Sequence, residues 1–293
     1  MCRIVLALTL SAIFVGCSKP ARPTPSTPTP AVTLVTPTTP TPTTPTPGKT
    51  DAESKPNPKG TPDPGKSNPD EDKASEFVKS IDGLVLRDST KPGNPVIRVD
   101  LNNAKVTDAE LKQLTPLKSL TTLNLRGASV TNEGLKDIGV LTSLTELHLN
   151  STRITDAGLK ELGGLKNLTS LQLGGTKVSD AGLKELAQLK SLTSLGLNGN
   201  NVNDAGTREL ANLGKLTKLD LNATGVTDAG VQELAALKNL TELDLAFTRV
   251  TDASLKSFAD LKKLTVLDLN NTLTTYPGVK QLQTALPNCK ISR

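Results

Sequence analysis

Residues 144–149 read Leu144-Thr-Glu-Leu147-His-Leu149, and the same spacing returns as Leu240-Thr-Glu-Leu243-Asp-Leu245. Such units recur with a constant period of 24 residues, opening at Leu120, Leu144, Leu168, Leu192, Leu216, Leu240 and Leu264. One period earlier a unit opens at Val96, and one period later a degenerate unit surrounds residues 287–291. A fixed period without insertions is typical of repeat proteins, in which each unit is one structural module.

Each unit carries two apolar patterns, and they predict two different structures. The alternating leucines of Leu-x-x-Leu-x-Leu predict a strand with one buried face. The stretch that follows, for example Val178-Ser-Asp-Ala-Gly-Leu183-Lys-Glu-Leu186-Ala-Gln-Leu189, spaces its apolar residues by three and predicts a helix with one apolar side. Ser179 or Asp180 can cap that helix, and an acid also suits the positive N-terminal end of the helix dipole.

A single unit cannot bury its leucines alone, so neighbouring units are expected to stack and to share one continuous core. The strands would then form a parallel sheet, and the bulkier helices on its other side would curve it. The predicted fold class is α/β, a solenoid with a curved parallel sheet on the concave face and short helices on the convex face.

The pattern Leu-x-x-Leu-x-Leu-x-x-Thr-x-Val-Thr-Asp-Ala-Gly-Leu-Lys-Glu-Leu resembles the leucine-rich-repeat family over residues 96–293. It is most similar to the 24-residue bacterial type and to the repeats found with F-box proteins. The family position just past the strand is often Asn, whose side chain satisfies backbone groups of the turn. The equivalent residues here are Asn200, Thr152, Thr176, Thr224, Thr248, Thr272, Ala104 and Ala128. Because Ala has no hydroxyl group, we expect the first two turns to be looser.

The N-terminus has the features of an export signal. Arg3 precedes an apolar run over residues 4–15, which is shorter than the ~20 apolar residues that span a bilayer and fits a secretory signal. Gly16-Cys17 at its end resembles the lipobox of bacterial lipoproteins, and this resemblance implies cleavage before Cys17 and acylation of Cys17. The alternative is an ordinary signal peptide and a secreted product.

Residues 17–73 contain fifteen of the twenty prolines, which prevent helix and sheet from propagating. We therefore expect a disordered Pro/Thr-rich stalk that acts as a spacer. The predicted organisation is a signal peptide at 1–16, the stalk at 17–73, an N-terminal cap at 74–95, repeats at 96–285 and a C-terminal cap at 286–293. The N-terminal cap should contain a helix over 75–81 and a strand over 84–86. Cys289 is interpreted as a small buried hydrophobe of the C-terminal cap rather than a reactive thiol.

The composition argues against catalysis and against a nucleic-acid partner. His148 is the one histidine, and the three cysteines, Cys2, Cys17 and Cys289, have no metal-ligand spacing. We predict no enzyme, no catalytic residue, no cofactor and no metal site; an enzyme centred on His148 is the alternative that a turnover assay would test. The net charge is only +5, and no basic run is visible beyond Lys262 and Lys263. With few aromatic residues as well, no nucleic-acid binding is expected.

The outward strand residues are the candidate binding surface, because they alternate with the buried leucines and vary between units. The candidate partner-binding residues are Arg126, Glu146, His148, Gln172, Gly196, Lys218, Asp220, Glu242, Asp244 and Asp268.

Two groups within this surface lead to specific expectations. Gly174, Ser194 and Gly196 should leave the centre bare, so that the backbone of a partner could approach closely. Asp220, Asp244 and Asp268 should stack in one column, with Glu242 beside them and only Lys218 to offset their charge. Such a column either recruits a cationic partner or is screened by solvent and idle.

These observations predict a non-catalytic module that binds a protein or peptide through the concave sheet. The module is expected to be a monomer at the cell envelope, in the outer membrane or at the cell surface, with membrane contact through the lipid anchor alone. The alternative is a structural or adhesive envelope lipoprotein whose concave face has no specific ligand. Thr207 occupies a position that is leucine in other units, where its hydroxyl predicts a local weak point.

Overall fold

The computed structural model describes residues 67–293. These residues form one open sheet of ten strands, and the order of the strands in the sheet follows their order in the chain. Strand β1 (Leu84–Arg87) is antiparallel to β2 (Val96–Asp100), and every later neighbour is parallel. The other strands are β3 (Thr122–Asn124), β4 (Glu146–His148), β5 (Ser170–Gln172), β6 (Ser194–Gly196), β7 (Lys218–Asp220), β8 (Glu242–Asp244), β9 (Val266–Asp268) and β10 (Lys290–Ser292).

A short helix follows each strand from β2 to β9. The helices are α2 (Asp108–Leu111), α3 (Asn132–Ile138), α4 (Asp156–Leu159), α5 (Asp180–Leu186), α6 (Asp204–Leu210), α7 (Asp228–Leu234), α8 (Asp252–Phe258) and α9 (Tyr276–Ala285). Short 3-10 turns extend α2 and α4 at Lys112–Leu114 and Lys160–Gly164. The predicted fold class, a parallel-sheet solenoid with helices on the convex side, is confirmed.

The core is continuous along the solenoid, because the same leucines of each unit meet those of the next. The 24-residue period becomes the register of the sheet, since Leu147 pairs with Leu171, and Leu195 with Leu219. Thr207 is fully buried, and its hydroxyl donates to the carbonyl of Asp204 at 2.8 Å. The helix backbone therefore satisfies this hydroxyl, and the local weak point at Thr207 stays a prediction.

The N-terminal end of the core is closed by helix α1 (Pro69–Ser80), which buries Ala74 and Val78. This helix begins earlier than predicted, so residues 69–73 belong to the cap and the stalk boundary at 73 was wrong. Asn68 caps the helix by accepting from the Asp70 N–H at 3.0 Å, and Pro69 suits the first helical position. The predicted signal peptide, the predicted acylation of Cys17 and the rest of the predicted stalk lie outside the described residues.

The C-terminal end is formed by α9 and β10. Cys289 lies just before β10 and is buried, as predicted for a small hydrophobe of this cap. Burial raises the pKa of the Cys289 thiol, whereas a reactive cysteine needs a lowered pKa.

The turn past each strand is held by the side chain at the family's asparagine position. Asn200 donates to the carbonyls of Leu173 and Leu197 and accepts from the Val178 N–H. The threonines at the equivalent positions donate to the carbonyl three residues earlier, at 2.6 to 2.8 Å. Ala104 and Ala128 cannot make this bond, so looser first turns stay a prediction.

A ladder of aspartates, absent from the sequence interpretation, joins consecutive units. Asp204, the first residue of α6, accepts from both the N–H and the hydroxyl of Thr227 in the next unit, at 2.8 and 2.7 Å. The same pairing, which we call the aspartate ladder, joins Asp108 to Thr131, Asp156 to Ser179, Asp228 to Thr251 and Asp252 to Thr275; at Asp180 the donors are the N–H and the side-chain amide of Asn203. Asn132 takes the aspartate's place opposite Thr155.

The sequence left open whether Ser179 or Asp180 caps its helix, and the structure gives these two residues different roles. The helix cap is the residue before the aspartate, since Ser179 accepts from the Ala181 N–H. The aspartate itself binds the following unit.

Candidate functional site

The outward strand residues form two columns on the concave face, because the strands pair in register. The first column contains Arg98, Thr122, Glu146, Ser170, Ser194, Lys218, Glu242, Val266 and Lys290. The second contains Asp100, Asn124, His148, Gln172, Gly196, Asp220, Asp244, Asp268 and Ser292. All the candidates except Arg126 lie in these columns. Strand β3 ends at Asn124, so Arg126 lies in the exposed turn beyond it, and its expected place on the strand was wrong.

The column of aspartates lies on β7, β8 and β9, where Asp220 pairs in register with Asp244 and Asp244 with Asp268. One carboxylate oxygen of each accepts the backbone N–H two residues later, at 2.8 to 2.9 Å. The other oxygen of each carboxylate is not used in that turn. We call these three residues the acidic column.

The acidic column is not neutralised by a basic side chain within the described residues. Lys218, the expected offset, instead pairs with Glu242 at 2.7 Å. Across residues 67–293, no lysine or arginine nitrogen lies within 4.0 Å of a carboxylate oxygen of the acidic column. Burial raises the pKa of Asp220, the Asn222 N–H opposes this, and the charge of Asp244 raises the pKa further. A cation beside Asp220 would therefore relieve an unfavourable charge.

The acidic column borders a shallow hollow of about 340 Å³ over β5 to β9. Gln172 and Ser194 line one side of it, and Asp220, Asp244 and Val266 line the other. The lining of the hollow therefore combines carboxylates with neutral polar and apolar groups.

The centre of the concave face is not bare. A Cβ atom built on Gly196 would collide with the side-chain oxygen of Gln172, and one on Gly174 would collide with Asn198. Both glycines are buried under these amides, so close approach of a partner's backbone there was a wrong expectation. Gln172 also donates to Ser194 at 3.3 Å, and the centre is therefore a polar amide patch.

His148 has a structural partner on its own strand. Its Nε2 lies 2.7 Å from Oε1 of Glu146, and both side chains are partly exposed. The arrangement gives a hydrogen-bonding pair on the open face. In the described part of the chain, no group of three or more His, Cys, Asp or Glu side chains could hold a metal ion.

Two leucines of the N-terminal cap belong to the concave face, although neither is among the candidate residues predicted from the sequence. Leu84 and Leu86 pair with Asp100 and Arg98, and residues opposite each other on antiparallel strands point to the same side of a sheet. Their exposures are 71% and 54%, so the face carries apolar side chains at one end and acids at the other. The sequence signal that could have identified them was the predicted strand over 84–86, in which residues 84 and 86 face the same side of the sheet.

Comparison with family models agrees with this geometry. Models described as leucine rich repeat match residues 142–202, and also 117–139 and 215–235. A model of two leucine rich repeat copies matches residues 238–281. These matches fall on the units defined by β3 to β9. The chain belongs to the leucine-rich-repeat family.

Two solved structures are similar to this leucine-rich-repeat chain. An internalin (inlF) from Listeria monocytogenes is 23% identical, with a TM-score of 0.56, and the match covers 68% of this chain and 54% of that one. An internalin C2 from the same species is 22% identical, with a TM-score of 0.56, and the match covers 76% of this chain and 93% of that one. The chain thus spans about half the length of the first internalin. At these identities the likeness shows the fold alone.

No curated protein matches the sequence. Among the helices within residues 67–293, none is long and apolar enough to cross a membrane.

Proposed function

We propose that the leucine-rich-repeat region is a non-catalytic module that binds a protein or peptide through its concave face. The unneutralised acidic column beside the hollow supports this proposal most strongly. A basic segment of the partner would lie against β7 to β9, where it replaces water around charges that repel one another. Leu84 and Leu86 offer apolar contact at the other end of the same face.

The candidate residues divide into three proposed roles. The acidic column attracts the cationic segment, and Glu242 and Lys218 form an ion pair that borders it. Gln172 over Gly196, together with the Glu146–His148 pair, supplies hydrogen-bonding groups in the central units. Arg126 lies in an exposed turn and would contact only the edge of a partner.

We also propose that the chain is exported and held at the cell envelope by acylation of Cys17, with residues 18–68 as a spacer. The apolar run before Gly16-Cys17 supports this localisation. The intact mass of the protein extracted from membranes tests it, because an acylated chain starts at Cys17 and carries the added mass of the lipid. A soluble chain cleaved elsewhere would instead support secretion.

Neutralising the acidic column is expected to reduce partner binding roughly tenfold, since close charge pairs across interfaces are strongly coupled. The variant carries Asp220→Asn, Asp244→Asn and Asp268→Asn, which keep the side-chain oxygens that the turns use. Proteins captured from envelope extracts by the full chain are quantified for the variant and the wild type.

The matched control is Asp137→Asn with Glu185→Gln and Glu209→Gln, which changes the net charge equally on the convex helices. This control should capture the same proteins as the wild type. Equal capture by the acidic-column variant would contradict the proposal and favour a structural role with an idle concave face.

A further inference from the structure

Lysines form a row along one side of the solenoid, in the turns that connect each helix to the next strand. All of them are exposed. We call this row the lysine rim, and its members are Lys118, Lys166, Lys190, Lys215, Lys238, Lys262 and Lys263. Apart from the adjacent pair Lys262 and Lys263, they are about one or two units apart in the sequence and form no basic run, and the turn at 139–145 contains none of them. The sequence therefore shows no sign of a basic row, which arises because the register of the sheet lines up equivalent turns.

The backbone of the lysine rim is held by bonds between neighbouring units. The hydroxyl of Thr169 donates to the carbonyl of Thr145, and this contact recurs at every unit from Thr121 to Thr265. Asn167 and Asn239 also donate to carbonyls of the preceding turns. Equivalent turns therefore lie side by side, about 5 Å apart, along one edge of the sheet.

The charge of the lysine rim is not balanced locally. Within the described range, none of its lysines lies within 4.0 Å of a carboxylate oxygen. Asp260 is the one acidic residue in the seven turns, which run from 115–121 to 259–265. The convex helices differ, since Lys136 pairs with Glu133 at 2.6 Å and Arg208 with Glu233 at 3.2 Å.

The surroundings of the lysine rim favour a flat partner. Small or neutral residues precede the lysines, for example Gly164, Gln188 and Ala236. Lys190 donates to the carbonyl of Asn212 at 3.2 Å and Lys263 to the side-chain oxygen of Asn239 at 2.8 Å, so these two lysines lie along the rim while remaining exposed. The seven turns contain no aromatic side chain on which bases could stack.

We propose that the lysine rim lies against a lipid bilayer that bears anionic phosphate headgroups. Each lysine near such a surface adds attraction, and the attraction decays within a Debye length. The strands begin at this rim, so the concave face would stand upright from the bilayer and stay open to a partner. The proposal needs neither the acylation of Cys17 nor a ligand on the acidic column.

The test measures binding of the full chain to vesicles, in a Cys17→Ser background so that no acyl chain contributes. Vesicles of phosphatidylcholine with phosphatidylglycerol are compared with vesicles of phosphatidylcholine alone, by sedimentation. Substituting Gln for Lys166, Lys190, Lys238 and Lys262 is expected to weaken binding to the anionic vesicles on the order of 1000-fold. Because the N-terminal apolar run is present in every arm, the neutral vesicles measure its contribution.

The control variant substitutes Gln for Lys136, Lys160, Lys184 and Lys256 on the convex helices, with the same change in net charge. It should bind nearly as tightly as the parent chain. A double variant, Lys166→Gln with Lys190→Gln, should show an intermediate loss, and far-UV circular dichroism confirms the fold of each.

Equal losses in the two four-lysine variants would overturn the proposal, because net charge alone would then explain binding. So would equal binding of the parent chain to both kinds of vesicle. Binding to soluble polyphosphate without binding to anionic vesicles would also overturn it, and would assign the rim to a soluble polyanion.

Discussion

Phe258→Ala is expected to lower the free energy of unfolding by about 4 kcal/mol. Phe258 is only 1% exposed and occupies the position at the end of α8 that Leu186, Leu210 and Leu234 fill in earlier units. Removing the ring takes away its transfer free energy and leaves a cavity that neighbouring units, held in register, cannot close. Urea unfolding followed by circular dichroism measures the change.

The matched variant is Phe258→Leu, which places the residue of the other units at the same position. We expect it to cost only about 1 kcal/mol, because the core there is shaped around a somewhat larger side chain. If Phe258→Ala and Phe258→Leu lowered the free energy of unfolding by similar amounts, the last units would have to relax around the cavity. That result would contradict a tightly packed C-terminal end.

Asp204→Ala is expected to lower the free energy of unfolding by about 3 kcal/mol. The carboxylate accepts from the N–H and the hydroxyl of Thr227, and both donors lose their partner in the variant. Asp204→Asn should cost much less, because Asn132 already performs this role opposite Thr155. If both variants lowered the free energy of unfolding by the same amount, the negative charge of the carboxylate, rather than its hydrogen-bond geometry, would be what stabilises the contact between units. Urea unfolding distinguishes the outcomes.

The aspartate ladder also predicts acid sensitivity. Burial alone would raise the pKa of Asp228, but hydrogen bonds from Thr251 and Ser254 outweigh it and lower the pKa below 3.8. Hydrogen bonds from Thr275 likewise lower the pKa of Asp252. A carboxyl whose pKa is lower in the folded state stabilises the fold above its unfolded pKa, and this contribution is lost as the pH falls through the folded value. The free energy of unfolding should therefore decrease below pH ~4, and this decrease should be smaller in Asp228→Asn.

The periodic leucines were sufficient to predict the strands, the helices and the buried core, because each depends on spacing within a single unit. The aspartate ladder was not predicted, since Asp204 and Thr227 are 23 residues apart and each has a plausible local role as a helix-start residue. The cover over Gly196 depends on the conformation of the Gln172 side chain, which no pattern specifies. Pro69 was assigned to the stalk because the stalk was recognised by its prolines, although Pro69 is the first residue of α1.

The candidate surface was predicted as far as the alternation of the strands allowed. Register alone was enough to place Asp220, Asp244 and Asp268 together, and their role stays a prediction. Arg126 was misplaced because the strands are only three residues long in most units. The lysine rim was overlooked because the basic character of a solenoid edge is a property of the stack rather than of any contiguous segment.

The aspartate ladder makes most joints between units chemically alike, since six of the seven helices from α2 to α8 begin with an aspartate that accepts from the next unit. Duplication of one 24-residue segment would therefore insert a new joint that matches the existing ones on both sides. Gene-level gain or loss of a segment could change how many side chains face a ligand without redesign of the interior. The protein's reach along a target is thus open to evolutionary adjustment in whole units.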